Sequence, residues 1–432
     1  MVHDLMLVTG HGGPPGTSRP DPWPAAENPR TPSLPPVVLF LPGLSTLPCN
    51  TSARLADIMC ADLTRGAGTY AVRSLDSPGP ALTDGRRIVT GNEQPLMDLY
   101  TVPYRDRLPE TATAGEKPGV WALVKLLVIQ VVYFGQALRL LLNARKRAKT
   151  PMAKWQLVVG FGSVVALLSA VVLTIVAIVA ALGLVTLPTA SGTFADAFAI
   201  GATGVTTWAL ATAGPVIRDA AARAQQMMDY AQSQQQAVKV ANSLGEAIDT
   251  VLESAETTRP VFILGYSMGA LVAFDYLCPR ASQLELPDDR HVDAIRALIT
   301  IGSPLDFMRL YLPQYFADRH PRVQGLPWTN IFIPADVLGS NCTDGNDHDV
   351  PDPEQIVEVA GMKPTLIVQF TDEKLTWSGV RARRGFLSHG EYWSVPGAGN
   401  CLNVVLCAVR DSRAGCDRWT PRSGPMVTAI AT

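Results

Sequence analysis

The hydrophobic positions of this chain form two kinds of pattern, short continuous apolar runs and longer segments with helical spacing. Val37–Leu41 is an apolar run that ends at a Pro-Gly pair, which predicts a strand buried on both faces and closed by a turn. Helical spacing follows over Ser52–Leu63, and strand patterns cover Tyr70–Val72 and Leu96–Val102. Strands that alternate with helices in this way predict an α/β fold.

A proline-rich arm precedes the first strand. From Pro14 to Pro36, nine of 23 residues are proline, so residues 1–36 are expected to form an extended arm without helix. The first ten residues, MVHDLMLVTG, have neither a basic start nor a small-residue cleavage pattern and do not resemble a secretory signal. We therefore expect the chain to start in the cytoplasm.

The middle of the chain has the pattern of a membrane insert. Trp155–Ala195 contains 41 residues without a charge, and about 20 apolar residues are enough for a helix to cross a bilayer. This stretch predicts a span at about 157–187. A second uncharged stretch, 197–217, is richer in Gly and Thr but long enough to return.

Charges around these stretches predict their orientation. Six basic residues and no acidic residue lie between Arg139 and Lys154, and the turn between the spans has no basic residue, so both ends of the hairpin are expected to be cytoplasmic. Val120–Leu142 is interrupted by Lys125 and Arg139 and predicts an interfacial helix. A buried helical lid over a soluble enzyme is the alternative, and the number of crossings, two or more, stays open.

Four parts of the chain follow from these patterns. They are the arm at 1–36, a first α/β part at 37–118, a helical membrane insert at 119–234 and a second α/β part at 235–432. Helical spacing from Asp219 to Glu256 is expected to lead from the membrane back to the sheet.

Composition narrows the function classes. The 432 residues include 38 acidic and 36 basic side chains, a formal net charge of −2, so bulk charge gives no basis for nucleic-acid binding. The seven cysteines form neither a Cys-x-x-Cys pair nor a Cys/His cluster with metal spacing. Neither a metal nor a disulfide framework is expected.

One segment carries a nucleophile pattern. Arg259–Leu277 contains an apolar run, then Gly265-x-Ser267-x-Gly269, then a helical pattern. A serine on a sharp strand-to-helix turn needs small flanking residues, and its hydroxyl then lies at a helix N-terminus. Strand before and helix after make this motif far more specific than the bare spacing.

With this motif the sequence resembles the α/β-hydrolase family over about residues 37–110 and 235–400. The resemblance implies a sheet flanked by helices, here interrupted by the membrane insert, and a catalytic order of nucleophile, acid and histidine. It also implies an oxyanion hole formed by the backbone of Met268 and, by position, of Gly43 and Leu44. Leu41-Pro42 replaces the histidine that is usual in that early loop, so the identity of the second donor stays open.

The base must accept the serine proton and be held by a carboxylate. Of the six histidines, His389 is the candidate because it lies late in the chain between apolar and aromatic residues. The others lie before the sheet or in polar loops: His3, His11, His291, His320 and His348. A solvated loop histidine is the alternative interpretation of His389.

The acid candidate is Asp336, at the turn after a strand pattern that begins at Trp328. Four other carboxylates in the following sequence stay possible: Asp344, Asp347, Asp349 and Asp372. A solvated turn aspartate remains the alternative.

These features predict a serine hydrolase anchored in the cell membrane, with its catalytic domain in the cytoplasm. Ser267 would attack a carboxylic ester or thioester with a lipid-like or apolar acyl group, without metal or organic cofactor. An acyltransferase with the same triad and a non-catalytic membrane-bound binding module are the alternatives. Besides the bilayer and the acyl substrate no partner is implied, and the oligomeric state is left open.

Overall fold

The fold is described from a computed structural model of the chain. It describes residues 34–44, 51–65, 69–108, 229–254, 259–281, 289–333, 338–343, 357–370, 401–410 and 427–431, together with positions 226, 227, 336, 389 and 392 and short stretches between 135 and 169. The proline-rich arm up to residue 33 and the parts of the two predicted spans at 170–187 and 197–217 lie outside the described residues.

A mixed sheet of nine strands dominates the described part of the chain, with the order β2-β3-β4-β1-β5-β6-β7-β8-β9. The six strands from β4 to β8 in this order are parallel, and β2, β3 and β9 are antiparallel to their neighbours. The strands are β1 (Val37–Leu41), β2 (Tyr70–Ser74), β3 (Thr83–Thr90), β4 (Pro95–Thr101), β5 (Val261–Tyr266), β6 (Ile295–Ile301), β7 (Trp328–Phe332), β8 (Leu366–Phe370) and β9 (Val427–Ala431).

Helices flank this sheet, so the α/β class predicted from the sequence is confirmed. The helices are α1 (Ser52–Arg65), α2 (Gln234–Glu253), α3 (Met268–Leu277), α4 (Asp289–Ala294), α5 (Leu305–Tyr311) and α6 (Cys401–Arg410). Apolar side chains of α1 and α6 share one buried cluster with alternate residues of β1, among them Val38 and Phe40. The period of two in a strand places such alternate residues on one face of the sheet.

Several elements were not predicted from the sequence, among them β3, α6 and β9. Strand β3 was not predicted, because its pattern is mixed with the charged residues Asp84, Arg86 and Arg87. Helix α6 and strand β9 lie beyond residue 400, where the resemblance to the α/β-hydrolases ends. Strand β9 joins the sheet through antiparallel pairing with β8, which a pattern within the tail does not reveal.

The parts of the chain before and after the predicted insert fold into the same sheet. Strand β1 pairs with β5 in parallel register, Val37 opposite Val261 and Leu41 opposite Gly265. A buried ion cluster reinforces this junction: Arg87 binds Asp98 through two bonds of 2.6 and 2.9 Å, and Arg259 binds the same carboxylate and the Pro35 carbonyl.

A topological switch point lies between β1 and β5. The chain goes from β1 to the strands on one side of the sheet and from β5 to those on the other. Loops that follow two such strands diverge, and ligands of open α/β sheets bind in the crevice between them. The turn after β1 and the elbow after β5 are therefore at the position where a site is expected.

The chain divides into two compact units. One consists of Met1–Tyr104, Ala241–Leu305 and Asp318–Thr432, and it contains all nine strands. The other consists of Arg105–Val240 and Asp306–Ala317. The domain boundaries predicted from the sequence remain predictions.

The second unit is mostly helical where it is described. Residues 141–145 and 153–158 are helical, and the Tyr311 hydroxyl donates to the carbonyl of Gln156 at 3.2 Å. Three apolar residues with helical spacing are exposed, Val158, Phe161 and Val165. Within the described part of the chain, no helix combines the length and the apolar character needed to cross a bilayer.

Candidate active site

Ser267 occupies a strained turn between β5 and α3. Its φ is 54° and its ψ is −120°, a region that non-glycine residues adopt at a cost of about 1–3 kcal/mol, typical of functional sites. The backbone NH of Ser267 donates to the carbonyl of Ile301 at 3.0 Å, which ties the turn to the end of β6.

The two glycines of the motif are required by close backbone approach. A Cβ at Gly265 would lie 2.7 Å from the Cα of Ala270, and a Cβ at Gly269 would lie 1.9 Å from the carbonyl oxygen of Leu41. Neither neighbour is a side-chain end that could move away, so the Gly-x-Ser-x-Gly spacing follows from packing of α3 against β5 and β1.

His389 lies between Ser267 and Asp336. Its Nε2 is 2.6 Å from the Ser267 Oγ, and its Nδ1 is 2.8 Å from the Asp336 Oδ2. Because the carboxylate only accepts hydrogen bonds, Nδ1 carries the imidazole proton and Nε2 is left to accept from the serine hydroxyl. The structure brings these three candidate residues together, although 53 and 122 positions of sequence separate His389 from Asp336 and Ser267.

Asp336 is fully buried, and three donors satisfy its carboxylate. The backbone NH of Leu338 donates to Oδ1 at 2.9 Å, while the Tyr392 hydroxyl, at 2.7 Å, and His389 share Oδ2. A buried carboxylate without such partners would be strongly disfavoured as an ion. The arrangement therefore keeps a negative charge next to the histidine.

Tyrosines hold the histidine and the acid, and sequence reasoning missed both. The Tyr266 hydroxyl donates to the backbone carbonyl of His389, and the two rings stack with centroids 5.3 Å apart. The Tyr392 ring lies edge-on to the rings of Tyr266 and His389. Tyr266 is a variable position of the motif, and Tyr392 follows His389 by three residues. That spacing is the one signal in the sequence that could have indicated Tyr392.

A buried polar network anchors the segment that follows Asp336. The Thr300 hydroxyl donates to the Asn330 Oδ1 at 2.8 Å, and the Asn330 side-chain amide donates to the carbonyl of Ser340 at 2.6 Å. The Ser340 hydroxyl donates to the carbonyl of Ser303 at 2.6 Å. These bonds fasten residues 338–343 to the ends of β6 and β7. Sequence analysis did not identify Asn330, because its pattern is that of an ordinary strand residue.

Two of the three predicted oxyanion-hole residues lie next to Ser267, Met268 in the chain and Gly43 in space. Met268 is the first residue of α3, and a Cβ at Gly43 would lie 2.9 Å from the Cβ of Ser267. Leu44 follows Gly43 and is partly buried. Backbone NH groups in the first turn of a helix have no partner within it, and they favour negative charge. The donor role of these residues remains a prediction.

The other histidines and acids that the sequence offered do not meet this site where they are described. His291 binds Asp249 at 2.6 Å and the Tyr276 hydroxyl at 2.7 Å, and His320 is exposed. The remaining candidates lie outside the described residues: His3, His11, His348, Asp344, Asp347, Asp349 and Asp372.

Among the described residues, no group of three or more His, Cys, Asp or Glu side chains is placed to hold a metal ion. The arrangement offers instead a serine hydroxyl, an imidazole acceptor and a buried carboxylate in one hydrogen-bonded chain. No family model matches this sequence, and no curated protein sequence matches it either. Any assignment of function therefore depends on the residues of the site and their geometry.

Proposed function

We propose that this chain is a serine hydrolase of the α/β-hydrolase family, anchored to the cell membrane with its catalytic part in the cytoplasm. It cleaves a carboxylic ester or thioester with an apolar acyl group. The observation that carries the proposal is the hydrogen-bonded chain from Ser267 through His389 to Asp336, with the serine on a strained strand-to-helix turn. Nucleophile, base and orienting acid are the parts that covalent acyl transfer requires.

In the first step the Ser267 Oγ attacks the acyl carbon while His389 Nε2 accepts the serine proton. The distance of 2.6 Å between these atoms is within the range for direct proton transfer. Asp336 stays ionised and stabilises the imidazolium through Nδ1. The carbonyl oxygen takes up the negative charge, and the backbone NH of Met268 and that of Gly43 or Leu44 donate to it.

The tetrahedral intermediate then collapses as His389 gives its proton to the leaving alcohol or thiol. The acyl group remains on Ser267 as an ester. Water attacks this ester, His389 accepts its proton, and the carboxylic acid leaves as the serine hydroxyl is restored. His389 thus acts as base and acid in both halves of the reaction, without an added cofactor.

The membrane anchor has support from the helical unit. Val158, Phe161 and Val165 are spaced by three and four residues, so they lie on one helical face, and all three are exposed. They belong to the 41-residue stretch without a charge. Apolar side chains on such a face are stable in contact with lipid acyl chains. An apolar acyl substrate would be available to an enzyme held at that surface.

The test uses the full chain in detergent micelles and a fluorophosphonate probe, which reacts with activated serines. We expect the wild type to be labelled and Ser267→Ala to lose the labelling. Ser243→Ala is a matched control, because Ser243 is buried on α2 and its hydroxyl has no hydrogen-bond partner among the described residues. Equal labelling of the wild type and Ser267→Ala would contradict the nucleophile.

The acyl specificity is tested with p-nitrophenyl esters and acyl thioesters of increasing chain length. We expect kcat/KM to rise from acetyl to longer acyl groups, as burial of each CH₂ contributes about 0.8 kcal/mol. A preference for acetyl would contradict the apolar substrate while leaving the nucleophile intact. Added methanol distinguishes acyl transfer, since an acyltransferase would form the methyl ester in place of the free acid.

A further inference from the structure

The Tyr392 side chain contacts the acid of the candidate triad. Its hydroxyl donates to the Asp336 Oδ2 at 2.7 Å and accepts from the backbone NH of Ile333 at 3.1 Å. The same carboxylate oxygen binds His389 Nδ1. Two hydrogen-bond donors of different kinds, a phenol and an imidazole, therefore share the charge on one oxygen atom.

The direction of the phenol bond is fixed by its surroundings. The NH of Ile333 occupies a lone pair of the hydroxyl oxygen, so the hydroxyl proton points to the carboxylate, which accepts. Burial and the negative charge of Asp336 raise the pKa of Tyr392 well above the ordinary value, with a smaller contribution from Tyr266. The phenol is consequently protonated, and a donor, throughout the pH range in which a serine hydrolase works.

The space around this hydroxyl is closed by two glycines. A Cβ at Gly302 would lie 2.8 Å from a ring carbon of Tyr392 and 3.2 Å from the Asp336 Oδ2. A Cβ at Gly339 would lie 3.1 Å from both the Tyr392 hydroxyl and the same carboxylate oxygen. Side chains at these positions would separate phenol and carboxylate, so packing of the ring and its bond to Asp336 depend on each other.

We propose that Tyr392 is a positioning residue of the triad: its hydroxyl fixes the rotamer of Asp336 and draws part of the carboxylate charge away from His389. This inference rests on the proposed hydrolase function and adds a fourth side chain to it. The carboxylate of Asp336 has one donor at Oδ1 and two at Oδ2. Without the phenol, each oxygen keeps one donor, and the full charge of Oδ2 faces the imidazole.

Two consequences follow for Tyr392→Phe. The carboxylate loses a hydrogen bond that limits its rotation, so we expect kcat for p-nitrophenyl butyrate to fall about tenfold with KM unchanged. The less neutralised carboxylate holds the His389 proton more strongly, so the acid limb of the kcat/KM profile should move up by about 0.5 to 1 pH unit. A tyrosine that only fills space would leave this limb where it is.

Tyr276→Phe is the matched control. Like Tyr392, Tyr276 is a buried tyrosine with a hydrogen-bonded hydroxyl, but its partner is His291, at 2.7 Å, and not Asp336. We expect that variant to keep the wild-type kcat and the wild-type acid limb. An unchanged kcat and acid limb in Tyr392→Phe would overturn the proposal. So would an equal shift in Tyr276→Phe.

If Tyr392→Phe does not fold, 3-fluorotyrosine incorporated at position 392 replaces it. The ring is retained and the more acidic phenol is a stronger donor, so the acid limb should move to lower pH. An acid limb at the wild-type position would overturn the proposal in this variant as well.

Titration of the protein labelled with ¹⁵N-histidine, followed by NMR, separates this inference from the proposed function. His389→Gln identifies the signal, and the measurement needs no turnover. A titration midpoint of His389 that moves upward in Tyr392→Phe supports the role of Tyr392, and an unchanged midpoint overturns it. Absence of fluorophosphonate labelling of Ser267 would overturn the hydrolase function alone.

Discussion

Gly269→Ala tests the packing that places Ser267 at the site. The added Cβ would lie 1.9 Å from the carbonyl oxygen of Leu41 and 2.5 Å from its carbonyl carbon. Both are backbone atoms of β1, which is hydrogen bonded on both sides by β4 and β5. These ladders restrain β1 within the sheet, so we expect α3 to shift instead.

The size of the shift sets the expected effect. Real Cβ contacts essentially never fall below 3.0 Å, so the start of α3 must withdraw by about 1 Å. Overpacking costs about 1–3 kcal/mol, and a clash with backbone belongs at the upper end, about 3 kcal/mol. This corresponds to a fall in melting temperature on the order of 6–12 °C for a domain of this size. A misplacement of about 1 Å at a reacting atom costs about a hundredfold in rate.

Two assays measure these effects on the full chain in detergent micelles. Thermal unfolding should show the lower melting temperature, and the rate of fluorophosphonate labelling of Ser267 should fall about a hundredfold. Gly162→Ala is the control, because Gly162 is helical and exposed, and no atom of the described part of the chain lies within 4 Å of an added Cβ. Wild-type labelling and stability in Gly269→Ala would refute the packing argument.

Three further predictions address the acid, the sheet junction and a buried thiol. Asp336→Asn should lower kcat about 10³- to 10⁴-fold, because three donors surround the carboxylate and the new amide must turn its NH₂ toward one of them. The kinetics of p-nitrophenyl ester hydrolysis measure this fall, and we expect KM to stay unchanged. Arg259→Met should lower the free energy of unfolding, measured by denaturant titration, by about 3 kcal/mol, since it removes a buried partner of Asp98. Arg73→Met removes one side of an exposed ion pair and should have no measurable effect in the same titration. Burial raises the pKa of the Cys278 thiol to about 12, so at pH 8 we expect iodoacetamide to modify it only after unfolding, and mass spectrometry of native protein that finds it modified would contradict this.

Local sequence patterns predicted much of the sheet. Strand β1 and the elbow segment are continuous apolar runs, and the structure has them buried at the centre of the sheet. Strand β3 was missed because charged residues such as Arg87 are typical of exposed loops. In the fold this arginine forms an ion pair with Asp98 on the neighbouring strand, and the pair offsets the cost of partly burying the charge. A local hydropathy pattern does not reveal a partner on another strand.

The sequence indicated some residues of the candidate site more clearly than others. Ser267 came from a motif in its required context, because the clash of any larger residue at Gly265 or Gly269 is a local property of the turn. His389 was selected by elimination, and Asp336 by its place after a strand. The hydrogen bond between them joins residues 53 positions apart and depends on the tertiary structure that brings those two positions together.

The sequence by itself determined the α/β class, the nucleophile turn and the uncharged middle of the chain, since each depends on residues within one short segment. Only the tertiary structure decided that β1 and β5 pair across the insert, and that Tyr266, Tyr392 and Asn330 support the histidine and the acid. The tyrosine contacts join residues 56 and 123 positions apart, whereas Asn330 binds Ser340 only 10 positions along the chain, and all of them depend on sheet register and burial. A hydrogen bond between distant side chains leaves no periodicity in the sequence, so geometry alone reveals it.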